Sequence, residues 1–356
     1  MATTAKGSGR RKVTQADVAK HAGVSPAIVS AVLNNRQYGN IRISDRTRQR
    51  VLDAVRELDY SPNLAARNLA GGSNRLIGVF SWQRLFPLVQ EDFFYEFLVG
   101  VEEASEQAGY NLLMLTAAKN AAGERSVFPG GANGLQLADG GILLGWGEKH
   151  DEIRRLDTER YPFVFIGERD IADVPMSFVA ADYRGAVAGI VDRLAGLGHR
   201  RIGMVEDTGA EEPVPGRRAG FAEGAARNGI DPAVAALGDG PTGSERLEGP
   251  GAAVDWMTER GLTALVVEKS LDAVAIREAA AGRALAAPRD YSLVGLSGTP
   301  ELPGVAEISE LSIPRREMGR KSVDLLVQLL ADPDAAPVRA RLECGLREAE
   351  TIGAAR

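Results

Sequence analysis

Cysteine is nearly missing from this chain: Cys344 is its single thiol in 356 residues, so no internal disulfide can brace the fold. Histidine is almost as scarce. His21, His150 and His199 stand far apart with no ligand spacing, which leaves no sequence case for a metal, and nothing implies another cofactor. No apolar run approaches the roughly 20 residues of a membrane span. With 44% hydrophobic and 25% charged residues, the composition is that of a soluble globular protein with no membrane partner. The opening MATTAKGSGRRK lacks the apolar middle of a secretory leader, and residues 1–12 read as a flexible basic tail of a cytoplasmic protein. Signs of catalysis are missing too. GGANG, at residues 130–134, precedes its strand instead of following one, so it is no phosphate loop. There is no nucleophile elbow, and the many carboxylates form no paired motif.

What the chain does have is an uneven charge. Residues 1–75 hold 13 Lys and Arg against 5 Asp and Glu, a net of +8. The whole chain carries −6, so the remainder carries −14. A basic head on an acidic body points to a nucleic-acid-binding module joined to something else.

Within that head, VTQADVAKHAGVSPAIVSAVLNN (residues 13–35) has helical apolar spacing interrupted by Gly23 and Pro26. Thr14 is a good N-cap for a first helix carrying Val18, Ala19 and Ala22, and Gly23 is its natural left-handed end. Ser25 caps a second helix whose first position suits Pro26, because no N–H is needed there. The spacing of Ala19, Gly23 and Val29 is that of a helix-turn-helix, whose second helix enters the major groove. An ordinary αα-hairpin is the other reading. SDRTRQRVLDAVRELDY, starting at a Ser44 or Asp45 cap, gives a third helix that closes a small core over residues 13–60. SPNLAARNLAGG gives a short helix, too short to be stable alone, in a linker spanning 61–75.

These segments, with RLIGVF, GRRAGF, YSLVGL and IPRREMGRKSVDLL downstream, closely resemble the lactose-repressor (LacI/GalR) family of bacterial transcription regulators. The resemblance implies a head that reads DNA through its second helix, a hinge helix that folds in the minor groove, and a homodimer on a pseudopalindromic operator. Ser25, Pro26, Ala27, Ser30 and Ala31 then fall on the recognition surface, and Asn34 follows it. Leu69 matches the leucine that wedges between base pairs; a buried helix contact is its other reading. Thr14, Thr47, Asn63 and Ala66 join the DNA-facing set. Two departures stand out. Ala31 occupies a position where many members carry arginine, and alanine can only touch a thymine methyl. The segment NNRQYGNIRIS is longer than usual and places Arg36, Tyr38 and Arg42 in a loop beside the DNA; extra phosphate contacts are one reading of it, a merely solvated loop the other.

Beyond residue 75, short apolar runs alternate with amphipathic helices: RLIGVFS, YNLLMLT, GGILLG, FVFIG, RRIGMVE, ALVVEK and YSLVGL. That rhythm is a doubly wound α/β fold with parallel sheets. The resemblance divides it into two subdomains, 76–180 with 314–333 and 181–313 with 334–356. Ligands bind beyond the carboxyl ends of such strands, which nominates Ser81, Trp82, Trp146, Glu168, Arg169, Glu206, Asp207, Glu268, Lys269 and Ser297. Either tryptophan could stack on a sugar or pack in the core. The family pattern adds Arg217, with Arg218 as the one-off alternative, and Phe94 completes the effector set. Lys269 and Ser297 stand where members usually carry amide or acidic residues, and losing a carboxylate removes the strongest acceptor for sugar hydroxyls. The expected function is therefore a transcriptional regulator, most simply a repressor, controlled by a sugar or related small molecule. An anionic effector near Lys269 and Arg217, or a required corepressor, is the alternative. A solute-binding protein or an enzyme of this fold is the competing class, and neither needs the basic head.

Overall fold

The computed structural model describes residues 13–33, 43–60, 73–86, 93–147, 149–206, 213–238, 245–297 and 307–356. The chain divides into two compact units, residues 1–74 and 75–356. The expected hinge helix, with Asn63, Ala66 and Leu69, lies outside the described residues, as do Asn34, Arg36, Tyr38, Arg42 and Asp207.

In the first unit, α1 (Gln15–Ala22), α2 (Pro26–Leu33) and α3 (Asp45–Glu57) enclose a core of Val18, Ala19, Val29, Val32, Val51 and Ala54. Thr14 and Asp17 form a capping box: Asp17 N–H donates to Thr14 Oγ1 (3.3 Å) and Thr14 N–H to Asp17 Oδ2 (2.9 Å). The helix start is thereby closed from both sides. Gly23 ends α1 at φ 62°, ψ 42°, a left-handed conformation that costs other residues about 1–2 kcal/mol. Ser25 Oγ accepts from Ile28 N–H at 3.4 Å, and Pro26 follows as the first residue of α2. The interruption in the sequence is thus a sharp turn between two capped helices.

The second unit contains two sheets. The first runs in the order β2 (Asn111–Met114), β1 (Leu76–Ser81), β3 (Gly140–Leu144), β4 (Phe163–Ile166), β5 (Ser177–Ala181) and β12 (Arg339–Leu342), all parallel. Alternate residues serve opposite faces. Ile77 and Val79 pack under α4 (Tyr95–Gln107) and α10 (Arg315–Ala331), while Phe80 packs with Ile153 and Leu156 of α5 (His150–Thr158). The second sheet runs β8 (Glu245–Leu247), β7 (Ala233–Leu237), β6 (Ile202–Glu206), β9 (Ala264–Val267), β10 (Ser292–Gly295), β11 (Ser309–Ser312) and β13 (Gly345–Arg347). Only the β11–β13 pair is antiparallel. Helices α6 (Tyr183–Gly196) and α7 (Val214–Arg227) share one apolar cluster with this sheet, and α8 (Pro250–Glu259) and α9 (Ser270–Ala281) share another.

Each sheet is covered on one face by a helix pair that crosses at glycine. A Cβ on Gly100 of α4 would lie 1.9 Å from the Arg316 carbonyl oxygen of α10, and one on Gly319 would lie 2.2 Å from that of Phe97. Beside this crossing, Glu103 accepts from both Arg316 and Arg320, and these hydrogen bonds pull its carboxyl down to about 2. The α6–α7 crossing repeats the device: a Cβ on Gly220 would lie 2.3 Å from the Arg184 carbonyl oxygen, and Arg184 Nε donates to Glu223 at 2.8 Å.

The chain passes between the sheets three times: from β5 into α6, from β11 into α10, and from β12 into β13. The third passage corrects the expected boundary, which gave all of 334–356 to the second subdomain. Residues 339–342 extend the first sheet beside β5. Charged Arg339 and Arg341 suit this position, because an outer strand keeps one edge in water.

The C-terminal segment is tied to the second sheet through His199, which is only 1% exposed. Its Nε2 lies 3.0 Å from the Gly353 carbonyl, which can only accept, so Nε2 carries the proton and Nδ1 faces the Thr263 hydroxyl at 2.8 Å. Burial lowers the His199 pKa below the usual 6.5. The folded state therefore binds fewer protons than the unfolded one. The associated stability is complete above about pH 6.5 and is lost as pH falls below it toward the depressed folded value. Urea denaturation between pH 7.5 and 5 is expected to show a falling midpoint, and His199→Gln should flatten that fall. An unchanged slope would remove the assignment.

Candidate functional site

On α2, Ser25 and Pro26 are exposed, and Ala27 and Ser30 are half-buried. Ala31 does not lie on the recognition surface as expected: it is 5% exposed and belongs to an inward arc with Val29 and Val32. The reason is local, because PAIVSAVL is apolar around most of its circumference and the buried arc is wider than one stripe. A base contact by Ala31 has no support in this placement. Thr14 and Thr47 both serve caps: Ser44 Oγ accepts from Thr47 N–H at 3.3 Å and lies 3.0 Å from Thr47 Oγ1.

In the body, the strand order reverses direction beside β1 in the first sheet and beside β6 in the second. Such switch points open crevices at the carboxyl ends of the strands. At the first, Ser81 is fully buried and its Oγ accepts from Gln83 N–H at 3.1 Å. Gln83 then binds Trp146 twice, donating from Nε2 to the Trp146 carbonyl (2.7 Å) and accepting from Trp146 N–H (3.0 Å). The loops after β1 and β3 are thus joined by one side-chain amide. Arg125 supports them from beneath, donating to the carbonyls of Ser81, Thr116 and Leu115. Arg169 Nη2 donates to the Gly145 carbonyl at 2.8 Å.

The two tryptophans separate here. Trp82 turns inward, 8% exposed, stacks with Phe165 at 6.2 Å and donates from Nε1 to Glu152 Oε2 at 3.0 Å. Its indole is core, which selects the packing reading of the two that the sequence left open and removes Trp82 from the effector set. Trp146 remains 49% exposed. Phe94, itself buried, lies parallel to its ring at 5.6 Å, and Phe93 meets it edge-on at 5.9 Å. The result is an exposed indole held from behind by two phenyl rings. Phe94 supports this shelf, and its own ring is covered.

The second switch point is filled by ion pairs. Arg217 Nη1 lies 2.7 Å from Glu268 Oε1, with side chains 5% and 4% exposed, and its guanidinium sits over the Tyr183 ring at 4.9 Å. Arg218 Nε donates to buried Glu206 at 2.7 Å. Arg217 therefore already faces a carboxylate, which weakens the anionic-ligand alternative. Lys269 is exposed, and Ser297 Oγ accepts from the Ser270 amide at the start of α9 (2.9 Å). Sequence reasoning missed Gln83, Phe93, Arg125 and Arg315; the run FFYEF before α4 was the available signal for Phe93. A separate cavity of about 410 Å³ opens between α6 and the third passage, lined by Asp182, Gly189 and Cys344 among others. Burial pushes the Cys344 thiol up to about 11, so it stays protonated and weakly nucleophilic.

No helix among the described residues is long and apolar enough to cross a membrane. Residues 14–63 match the bacterial regulatory proteins of the lacI family, and residues 191–352 match the periplasmic binding protein-like domain. The fold is shared with the lac repressor dimer bound to operator and the anti-inducer ONPF (24% identity, TM-score 0.72, 97% of this chain and 100% of that one). It is shared as well with the transcriptional regulator CelR–cellobiose complex (23%, TM-score 0.59, 96% and 100%). A helix-turn-helix transcriptional regulator in the aml 5'region of Streptomyces limosus is 34% identical over 287 residues, 79% of this chain and 77% of that protein. With the helix-turn-helix head and the two-sheet body present in the same order, the chain belongs to the lacI family of bacterial transcription regulators.

Proposed function

We propose that the chain represses transcription by binding a pseudopalindromic operator as a homodimer, and that a neutral polyhydroxylated ligand, a sugar, controls this binding from the cleft between the two sheets. The observation that carries the ligand class is the exposed Trp146 shelf on the first sheet, taken together with the internally paired arginines of the second. An exposed indole offers an apolar face to a sugar ring, while guanidinium groups already facing carboxylates hold little attraction for an anion. The solved relative with cellobiose bound supports the same class. The capped α1–α2 turn, with Ser25 and Pro26 exposed at the start of α2, supports the DNA reading. Effector binding acts as a population shift, limited by its differential affinity for the two states of the body.

Selection of bound sequences from a random duplex library with the full chain tests the DNA half. The expected consensus is a pseudopalindrome of about 14–20 base pairs, set by two heads one to two helical turns apart. No consensus, with or without added metabolite pools, would overturn it. On the recovered site, Leu69→Ala is expected to weaken specific binding at least tenfold and leave non-specific binding unchanged, since an apolar wedge acts only where DNA is kinked. Equal losses would remove the wedge. Trp146→Ala tests the ligand half: sugar binding by calorimetry should weaken about tenfold, or ~1.4 kcal/mol, with only a small fall in unfolding midpoint from the lost contacts with Phe93 and Phe94. Unaltered affinity would place the ligand elsewhere.

A further inference from the structure

Arg315 is the first residue of α10 and stands three residues beyond the end of β11, directly after the second passage between the sheets. It is 8% exposed. Its guanidinium carbon lies 5.0 Å from the centre of the Phe93 ring, on the first sheet's side, and its Nη2 donates to the Ser297 carbonyl at 2.5 Å, on the second sheet's side. Its own N–H closes a tight turn onto the Ile313 carbonyl at 2.8 Å. The base of the side chain is thus fixed at a pivot while its head touches both sides.

We propose that Arg315 is a positioning residue that couples the Trp146 shelf to the second sheet and to the start of α9. The inference deepens the effector reading and rests on it. The path is continuous. Trp146 meets Phe93 edge-on, Phe93 carries the guanidinium face, and the guanidinium edge holds the Ser297 carbonyl. Ser297 Oγ in turn accepts from the Ser270 amide and donates to Ser270 Oγ, both at 2.9 Å. A ligand lying on Trp146 restricts the Phe93 ring. The guanidinium must follow that ring or leave it, and the Ser297 loop follows the guanidinium. Only arginine offers a planar cationic face and separate edge donors at once; lysine has one point charge and can serve one contact at a time. The contacts described for Arg217, by contrast, all stay within the second sheet's own elements.

Hydrogen–deuterium exchange on the full chain, without ligand, tests the coupling. Arg315→Met, which keeps the stem and removes the donors, is expected to speed exchange tenfold or more at both 94–98 and 270–273. Phe93→Leu should speed exchange at 270–273, although Phe93 belongs to the other sheet's side. Arg315→Lys should restore protection at one of the two segments and not at both. Changes confined to 313–319 in Arg315→Met, or an unaltered 270–273 in Phe93→Leu, would overturn the proposal. If Arg315→Met fails to fold, Phe93→Leu still decides it. Because no sugar is needed, failure of cellobiose to bind would strike the effector reading and leave the coupling measured. Cellobiose binding with an inert Phe93→Leu would strike only the coupling.

Discussion

Adding one methyl group at position 100 should cost the body at least about 3 kcal/mol. A Cβ there would lie 1.9 Å from the Arg316 carbonyl oxygen and 2.8 Å from its carbon, and backbone atoms of a helix cannot rotate away. In Gly100→Ala, α4 and α10 must therefore move apart. Separation opens the contact that buries Phe97, Val101, Met318 and Val323 and stretches the Glu103 pairs with Arg316 and Arg320. Ordinary helix propensity predicts the opposite sign, since alanine is about 1 kcal/mol better than glycine in a helix interior. Gly189 of α6 provides the control, because nothing lies within 4 Å of a Cβ there. Gly189→Ala should stabilise by about 0.5–1 kcal/mol. Urea denaturation of both variants decides the matter, and two shifts of the same sign would contradict the crossing geometry.

Arg217→Ala should cost about 3–5 kcal/mol of body stability, because it leaves the Glu268 carboxylate buried without its guanidinium. From sequence alone the same change would be a clean effector-blind variant with operator binding retained. The 2.7 Å pair, with side chains 5% and 4% exposed, makes it a folding variant as well. Replacing both partners with apolar residues of similar size, Arg217→Met with Glu268→Leu, should recover most of the loss, since a buried pair is costly to break and cheap to replace. Thermal or urea unfolding of the single and double variants measures this. A single variant as stable as the parent would mean that the pair opens to solvent. If the double variant folds but ignores every sugar, the pair serves recognition as well as packing.

The parts of this molecule written in local pattern were readable in advance. Thr14, Gly23, Ser25 and Pro26 specify the α1–α2 turn within a dozen residues, and runs such as GGILLG and FVFIG carry their strands in their own composition. AVAAL of β7 did not, because alanine has little strand preference, and RARL of β12 reads as a polar loop until β5 is beside it. The site was legible to the level of which loops meet. Which tryptophan faces outward was not, because Trp82 is turned inward by Glu152, 70 residues away, and Trp146 is backed by Phe93 and Phe94 from another loop. Arg217 was nominated as an effector contact on the family pattern, and the carboxylate it faces, Glu268, lies 51 residues away. No pattern of spacing pairs them.

The three passages between the sheets also set an order of assembly during synthesis. The head's core is complete once residue 60 has left the ribosome, so it can fold while the rest is still being made. The first sheet cannot do the same. Its strand β1 begins at Leu76, yet the second of the two helices that cover this face starts at Arg315 and its outermost strand ends at Leu342. Throughout the synthesis of the second sheet, the apolar face meant for α10 stays open to solvent and to neighbouring nascent chains. A DNA-reading head thus exists for some 280 residues of translation before the body that is to govern it can close.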